Sequence, residues 1–354
     1  MPEIVINLHM HTPYSDGCES HEQIAQAAMR AGLDAVIVTD HNILVNGPEK
    51  VYQSGDRRVV LLVGEEIHDQ SRQPQKSHLL VFGVDREFSN LANDIQLLVN
   101  TVRQAGGMAF IAHPNDPEGP AIHEDDISWV DWQVQGITGI ELWNGFSEFK
   151  GLLTTKWNTL DYAFHPNRIA TGPCPEVLKK WDELLSAGKR VVAIGGSDAH
   201  ALRISLGPIK KVIFPYEWHF QGINTHLLIS SPLTGQLVED RRLILEALAR
   251  GSAFIGYDLP ASTRGFQFTA NSQLGNVGIG DEATSKGGVT FQVRLPRPTE
   301  CRLIHNGTMI KTWQNREICT FNTTVPGAYR LEAYIDYLGK KRAWIFTNPI
   351  YVTR

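Results

Sequence analysis

The chain has 354 residues, 42% of them hydrophobic, and a formal net charge of −5. That length suits one barrel plus an appendage, and the apolar content is enough for a large core. The acidic balance argues against a general nucleic-acid binder or a membrane-surface protein, and no run reaches the ~18 apolar residues of a membrane span. Met1-Pro2-Glu3 leads straight into an apolar run with no basic leader, so a cytoplasmic protein is expected. The four cysteines, Cys18, Cys174, Cys301 and Cys319, have no CxxC spacing. Reduced thiols are expected, a Cys301–Cys319 bridge being the alternative.

The first predicted strand, Ile4-Val5-Ile6-Asn7-Leu8, runs into His9-Met10-His11. A loop with Ser15-Asp16-Gly17 follows, then a helix with Ser20 as N-cap and Gln23 as capping-box partner. Strand two, residues 35–39, delivers Asp40-His41. Strand three, residues 59–63, delivers Gly64-Glu65-Glu66, and strand four starts at His78. A helix over residues 91–105 precedes strand five, which ends in Ala112-His113-Pro114. Strand six, residues 139–144, leads through a helical stretch to strand seven, which ends in Gly195-Gly196-Ser197-Asp198-Ala199-His200. Strands alternating with helices predict parallel βα units, and polar residues gathered at strand ends are what a βα-barrel site shows. A helix is expected over residues 240–250, stopped by Gly251. From about residue 260, short alternating runs separated by Gly, Asn and Pro, with Asn306-Gly307 as a hairpin signal, predict a small antiparallel β-sandwich. The expected division is residues 1–257 for the barrel and its helical extension and 258–354 for the β-domain.

The chemistry gathers at the strand ends. His9 and His11, and Asp198 and His200, are spaced i, i+2, so in extended chain each pair points to one side. With His41, Glu66, His78, His113 and the loop residue Asp16, six imidazoles and three carboxylates are available. That set suffices for two or three divalent ions, and imidazole with carboxylate suits Zn²⁺, Mn²⁺ or Fe²⁺. Ions sharing a hydroxide would make a hydrolase. Asp40 is expected to orient His41 rather than bind metal. His165 lies on the long segment before strand seven that would cover the mouth. Arg203, with Arg168 as second candidate, would meet an anionic substrate. His123, His219 and His226 lie outside the motifs and are expected to be structural.

His9-Met10-His11, Ser15-Asp16-Gly17, Thr39-Asp40-His41-Asn42, Gly64-Glu65-Glu66, Ala112-His113-Pro114 and Ser197-Asp198-Ala199-His200 resemble the motifs of the PHP (polymerase and histidinol phosphatase) superfamily. The resemblance spans about residues 4 to 202 and implies a distorted seven-stranded (β/α)7 barrel with a two- or three-metal site. It implies His9, His11, Glu66 and Asp198 around a first ion; Glu66, His78 and His113 around a second; and Asp16, His41 and His200 around a third. Glu66 rather than Glu65 matches the ligand's place in the motif. Glu141-Leu142-Trp143-Asn144-Gly145, Phe214-Pro215-Tyr216-Glu217, Asn224-Thr225-His226-Leu227-Leu228 and Asn348-Pro349-Ile350-Tyr351-Val352 resemble the carbaryl-hydrolase-like branch, which joins a PHP barrel to a C-terminal β-domain.

Three activities follow as expectations. The first is hydrolysis of a small phosphomonoester or phosphodiester by a metal-bridging hydroxide, with a catalytic set of Asp16, Asp40, His165 and Arg203. The second is cleavage of a carbamate or carboxylic ester. The third is a DNA proofreading exonuclease module, against which the acidic charge counts. The expected partner is a small-molecule substrate, with neither nucleic acid nor membrane, and a homo-oligomer is possible.

Overall fold

The computed structural model describes residues 1–206 and 209–354, and side chains everywhere except residues 202–211. Arg203 therefore lies outside the described side chains. The architecture is mixed α/β, built on two main sheets. The larger has fourteen strands. Its core path runs Ala253–Tyr257, Ile223–Leu228, Glu3–Asn7, Ala35–Val38, Arg57–Val63, Lys50–Ser54. The second has five strands, in the order Glu65–Ile67, Leu79–Phe82, Met108–Ile111, Gly139–Asn144, Val192–Gly196.

Strand composition explains how the sheets stack. Along Glu3–Asn7, Val5 turns to one apolar cluster while Ile4 and Ile6 turn to another, and all three are buried. A strand buried on both faces reads as a continuous Val/Ile run. Ile6, Ile37 and Leu62 of the first sheet meet Leu80, Phe110 and Ile194 of the second in one apolar cluster. Helix Leu237–Arg250 adds Leu243, Ile244, Ala247 and Leu248 to it and stops at Gly251, whose φ of 67° closes the helix in the left-handed region. Each fully buried Leu or Ile side chain among them contributes roughly 1.5–3 kcal/mol. The other faces pack against helices His21–Ala31, Ile95–Gln104 and Pro175–Ser186. The first of these carries the expected capping box from Ser20 and Gln23.

Two features depart from the sequence-based expectation. The strands are not all parallel. Leu79–Phe82 is antiparallel to both neighbours, because the link from Ile67 to Leu79 holds no crossover helix and the chain simply turns back. Nor is the barrel a closed ladder. The chain leaves the first sheet at Gly64, where a Cβ would lie 2.7 Å from the Val81 carbonyl oxygen, and enters the second at Glu65. Among the described residues only single bridges join the sheets, His41 with Glu66 and Met10 with Ala199. The first joins two predicted ligands, and the second joins the residues that lie between the predicted pairs His9/His11 and Asp198/His200.

The C-terminal strands are not a detached pair of sheets. Lys340–Thr347 pairs with Ala253–Tyr257, so the large sheet runs on into them. Most pairings there are antiparallel, and Val289–His305 and Thr308–Thr323 form the hairpin at Asn306-Gly307, both residues having positive φ. These strands enclose an apolar cluster that includes Phe268, Phe291, Leu303, Leu331 and Trp344. None of the four cysteines forms a disulfide. Among the described residues no helix is long and apolar enough to cross a membrane.

Candidate metal centre

The sheet edges deliver the site. Strand Glu3–Asn7 ends just before Leu8, and His9 and His11 follow with side chains wholly buried. Ala199 is held by two backbone bonds, His11 N–H to its carbonyl (3.1 Å) and its own N–H to the His9 carbonyl (3.3 Å), which sets Asp198 beside both imidazoles. Asp198 has φ 53° and His113 φ 25°. Non-glycine residues seldom adopt this region, and such strain gathers at functional sites.

Glu66 is the hub. Its Oε2 lies 2.9 Å from His9 Nε2, 3.2 Å from His11 Nε2 and 3.3 Å from His41 Nδ1. Its Oε1 lies 2.7 Å from His78 Nδ1 and 2.9 Å from His113 Nε2. Five ring nitrogens thus crowd one buried carboxylate, which has about four acceptor sites. Around it, His9, His11, Glu66 and Asp198 form one group whose donor atoms all lie within 4.8 Å of one another; Glu66, His78 and His113 form a second; His11, Asp16, His41 and His200 form a third. Depth differs between them. Glu66 is sealed, whereas the side chain of Asp16 is 54% exposed, so the third group faces solvent.

Hydrogen bonds fix which ring nitrogen is offered. Glu141 takes the Nδ1 proton of His9, both oxygens at 3.1 Å, leaving Nε2 for the cluster. The Gln75 carbonyl takes His78 Nε2–H at 2.8 Å and leaves Nδ1. The Asp198 carbonyl takes His200 Nδ1–H at 2.9 Å and leaves Nε2 facing Asp16 at 3.3 Å. A carboxylate or carbonyl behind each imidazole, with the lone pair turned inward, is how metal-ligating histidines are oriented. His41 Nδ1 is buried and makes no hydrogen bond, although Glu66 is near. These residues fit one or more divalent ions.

The electrostatics agree. Burial works against protonation of His11, but the hydrogen bonds it donates to Asp198 and Glu66 outweigh it and raise its pKa to about 10. For His113, Glu66 does the same, to about 9. Burial favours the neutral form of Glu66 and of Asp198, yet the surrounding imidazoles hold both well below the ordinary carboxylate range. The pocket is built for positive charge beside carboxylate.

Asp40 makes no contact with the cluster's nitrogens. Its oxygens accept from Thr12 N (2.7 Å), Thr12 Oγ1 (2.7 Å) and Ser15 Oγ (2.7 Å), fixing the loop that carries Asp16. His165 is exposed at the end of helix Lys156–Phe164 and pairs with Asp161 at 2.8 Å, as does Arg168 at 3.4 Å; the structure does not bring either to the cluster.

Four neighbours of the site were not read from sequence as part of it. Glu141 sits mid-strand, bonded to His9, to the His113 N–H and to Asn144. Gly196 makes room for it, since a Cβ there would lie 2.6 Å from Glu141 Oε1 and 3.0 Å from His9 Cβ. His68 stacks on His78 at 4.3 Å and groups with His41 and His78. Tyr216, buried, donates its hydroxyl to the His11 carbonyl at 2.5 Å. A charge inside the apolar run Ile140-Glu141-Leu142 was the available signal for Glu141, because a buried carboxylate needs a partner.

The PHP domain family model matches residues 7–114. An uncharacterized protein of Methanocaldococcus jannaschii is 23% identical over 151 residues, 40% of this chain and 81% of its own. Among solved structures, a two-domain protein from Bacteroides vulgatus, containing a predicted PHP-like metal-dependent phosphoesterase, covers 99% of this chain and 95% of its own at 16% identity and TM-score 0.44. One from Bifidobacterium adolescentis, named as a metal-dependent phosphoesterase, covers 55% and 87% at 16% identity and TM-score 0.35. The matched segment, residues 7–114, contains His9, His11, Asp16, His41, Glu66, His78 and His113, and over that segment the chain matches the PHP domain.

Proposed function

We propose that the protein is a metal-dependent hydrolase acting on a small phosphomonoester or phosphodiester. The observation that carries it is the crowding at Glu66, where five ring nitrogens converge on one carboxylate. Hydrogen bonds alone leave that arrangement overfilled, whereas cations between the donors satisfy it. His9, His11, Glu66 and Asp198 would hold one ion, Glu66, His78 and His113 a second, and Asp16, His41 and His200 a third. Divalent ions bound there supply Lewis acidity and acidify water. Zinc, manganese and iron suit the donor set.

The chain's own residues divide the remaining work. Glu141 and the Asp198 and Gln75 carbonyls hold the imidazoles in their donor tautomers. Asp40 steadies the Asp16 loop at the solvent side, where substrate enters. Arg203, three residues beyond His200, is assigned to the substrate's phosphoryl group. The two sheets are read as halves of a distorted seven-stranded barrel, and residues 258–354 as its C-terminal β-domain. The phosphoesterase names of the proteins from Bacteroides vulgatus and Bifidobacterium adolescentis agree with this activity.

The test is turnover of 4-nitrophenyl phosphate against 1-naphthyl methylcarbamate by protein loaded with Mn²⁺ or Zn²⁺, with Asp198→Ala as blank. Phosphate turnover absent from the blank is expected. Carbamate turnover alone would move the protein to ester and carbamate cleavage.

A further inference from the structure

A cavity of about 750 Å³ lies beside the centre, with one wall formed by His113, Glu141 and Asn144. The facing wall comes from the C-terminal strands, through Arg302, Glu332 and Tyr334. Two regions far apart in sequence therefore share one space with the candidate metal centre. Between the walls apolar residues, Leu142, Val177 and Phe346 among them, alternate with polar ones such as Ser147, Glu148 and Thr171.

The hydrogen-bonding capacity of the cavity is unevenly spent. Glu141 is consumed by His9, Asn144 and the His113 N–H. Glu148 accepts from Trp143 Nε1 at 2.8 Å and from Thr171 N at 2.6 Å. Glu332 accepts from Arg330 at 2.7 Å and from the Tyr334 hydroxyl at 2.8 Å. Each of these acids is satisfied within the protein. Arg302 is different. Its guanidinium lies 4.1 Å over the Tyr334 ring, which fixes its plane. Its Nε and Nη2 engage one oxygen of Glu300, whose other oxygen is taken by Lys341 at 2.5 Å. Two cations share that one carboxylate, while on the same wall Glu332 and Asp182 share Arg330, so the charges balance and what Arg302 has to spare is a hydrogen-bond donor. Among the described residues Nη1 of Arg302 makes no hydrogen bond. The unspent polar capacity of the cavity is a guanidinium donor, planar and held in place.

We infer that this cavity binds the part of the substrate remote from the hydrolysed bond, and that Arg302 is its anchor for a terminal anionic group, a carboxylate or a phosphate, on a partly apolar body. The inference deepens the hydrolase reading by naming the substrate class, and it rests on that reading for the position of the reacting end. The C-terminal strands would then set specificity, with Arg302 offering an anion the directed hydrogen bond that a lysine does not.

The experiment uses two pairs of compounds on the metal-loaded full chain: turnover of phenyl phosphate and 4-carboxyphenyl phosphate, and calorimetric binding of the inert benzylphosphonate and 4-carboxybenzylphosphonate. The carboxylated compound of each pair should be favoured about tenfold, in KM and in Kd, as expected for one charge-assisted hydrogen bond. Arg302→Leu should abolish that preference while leaving kcat for phenyl phosphate and the affinity for benzylphosphonate within about twofold, and Arg302→Lys should retain only part of it. A preference absent from the wild type, or unchanged in Arg302→Leu, overturns the inference, as does failure of both phosphonates to bind. If neither phosphate is turned over while the phosphonate preference persists and depends on Arg302, the phosphoesterase reading fails and the anion anchor stands.

Discussion

Two buried groups of histidine and carboxylate show opposite designs. Around His226 every valence is closed: Nδ1 meets Glu3 at 2.7 Å, while Nε2 meets Asp258 at 3.1 Å and Thr263 at 2.9 Å, with the ring stacked on Phe254. One imidazole has two acids, and the network ties the first strand to Asp258 and the segment after it. At the candidate metal centre the ratio is inverted. Five imidazoles meet one Glu66, and His41 Nδ1 is left without a hydrogen bond. A closed network stabilises a fold, whereas an overfilled one asks for a cation. Histidine content alone would not distinguish them; the stoichiometry of partners does.

That contrast can be broken by substitution. Asp198→Ala should bring turnover of 4-nitrophenyl phosphate down to the no-enzyme rate and strip metal, read by elemental analysis of the purified protein. An active, metal-replete variant would mean that the donor groups are not the site. Glu141→Gln keeps the shape but weakens the hold on His9, and should cost about 10–100-fold in metal affinity or activity, as loss of the partner behind a ligating histidine usually does. Gly196→Ala drives a methyl group at the same carboxylate and should act in the same direction; wild-type metal affinity in this variant would show that Glu141 does not need its present place.

His226→Gln should leave metal content untouched and lower stability by about 1–3 kcal/mol, as for unsatisfied buried polar groups. Here the pH dependence is specific. Burial opposes the charge on His226, but its bonds to Asp258 and Glu3 raise its pKa above 6.5. Burial likewise opposes ionisation of Asp258, yet the hydrogen bond from His226 lowers its pKa from 3.8 to about 2. The stabilisation from a raised histidine is complete below its unfolded pKa and is lost as pH rises through the folded one. That from a lowered aspartate is complete above its unfolded pKa and is lost as pH falls through the folded one. The wild-type advantage over His226→Gln should therefore be largest between pH 3.8 and 6.5 and shrink on both sides. A flat difference in melting temperature across pH would remove the ion network from the account.

Much of the site was legible because its chemistry sits where apolar runs stop. An imidazole or acid directly after a Val/Ile run is conspicuous, and the i, i+2 pairs follow from strand geometry. The same spacing from Glu66 would have pointed to His68, which the motif order passed over. Glu141 escaped because it lies inside a run and because its role depends on a partner 132 residues away. Strand direction was less legible than strand existence: the turn back between Ile67 and Leu79 and the continuation of the sheet into Lys340–Thr347 are set by tertiary pairing, which periodicity does not encode. The wall that Arg302 and Tyr334 contribute to the cavity is hidden for the same reason, since those strands read as an ordinary alternating pattern.

The most direct measurement is metal content, by elemental analysis, of wild type, Glu66→Ala and His226→Gln purified side by side. The expected result is bound divalent metal in wild type and in His226→Gln, and none in Glu66→Ala. Metal retained by Glu66→Ala at the wild-type level, or lost equally from His226→Gln, would contradict the central claim that the overfilled carboxylate is the metal centre.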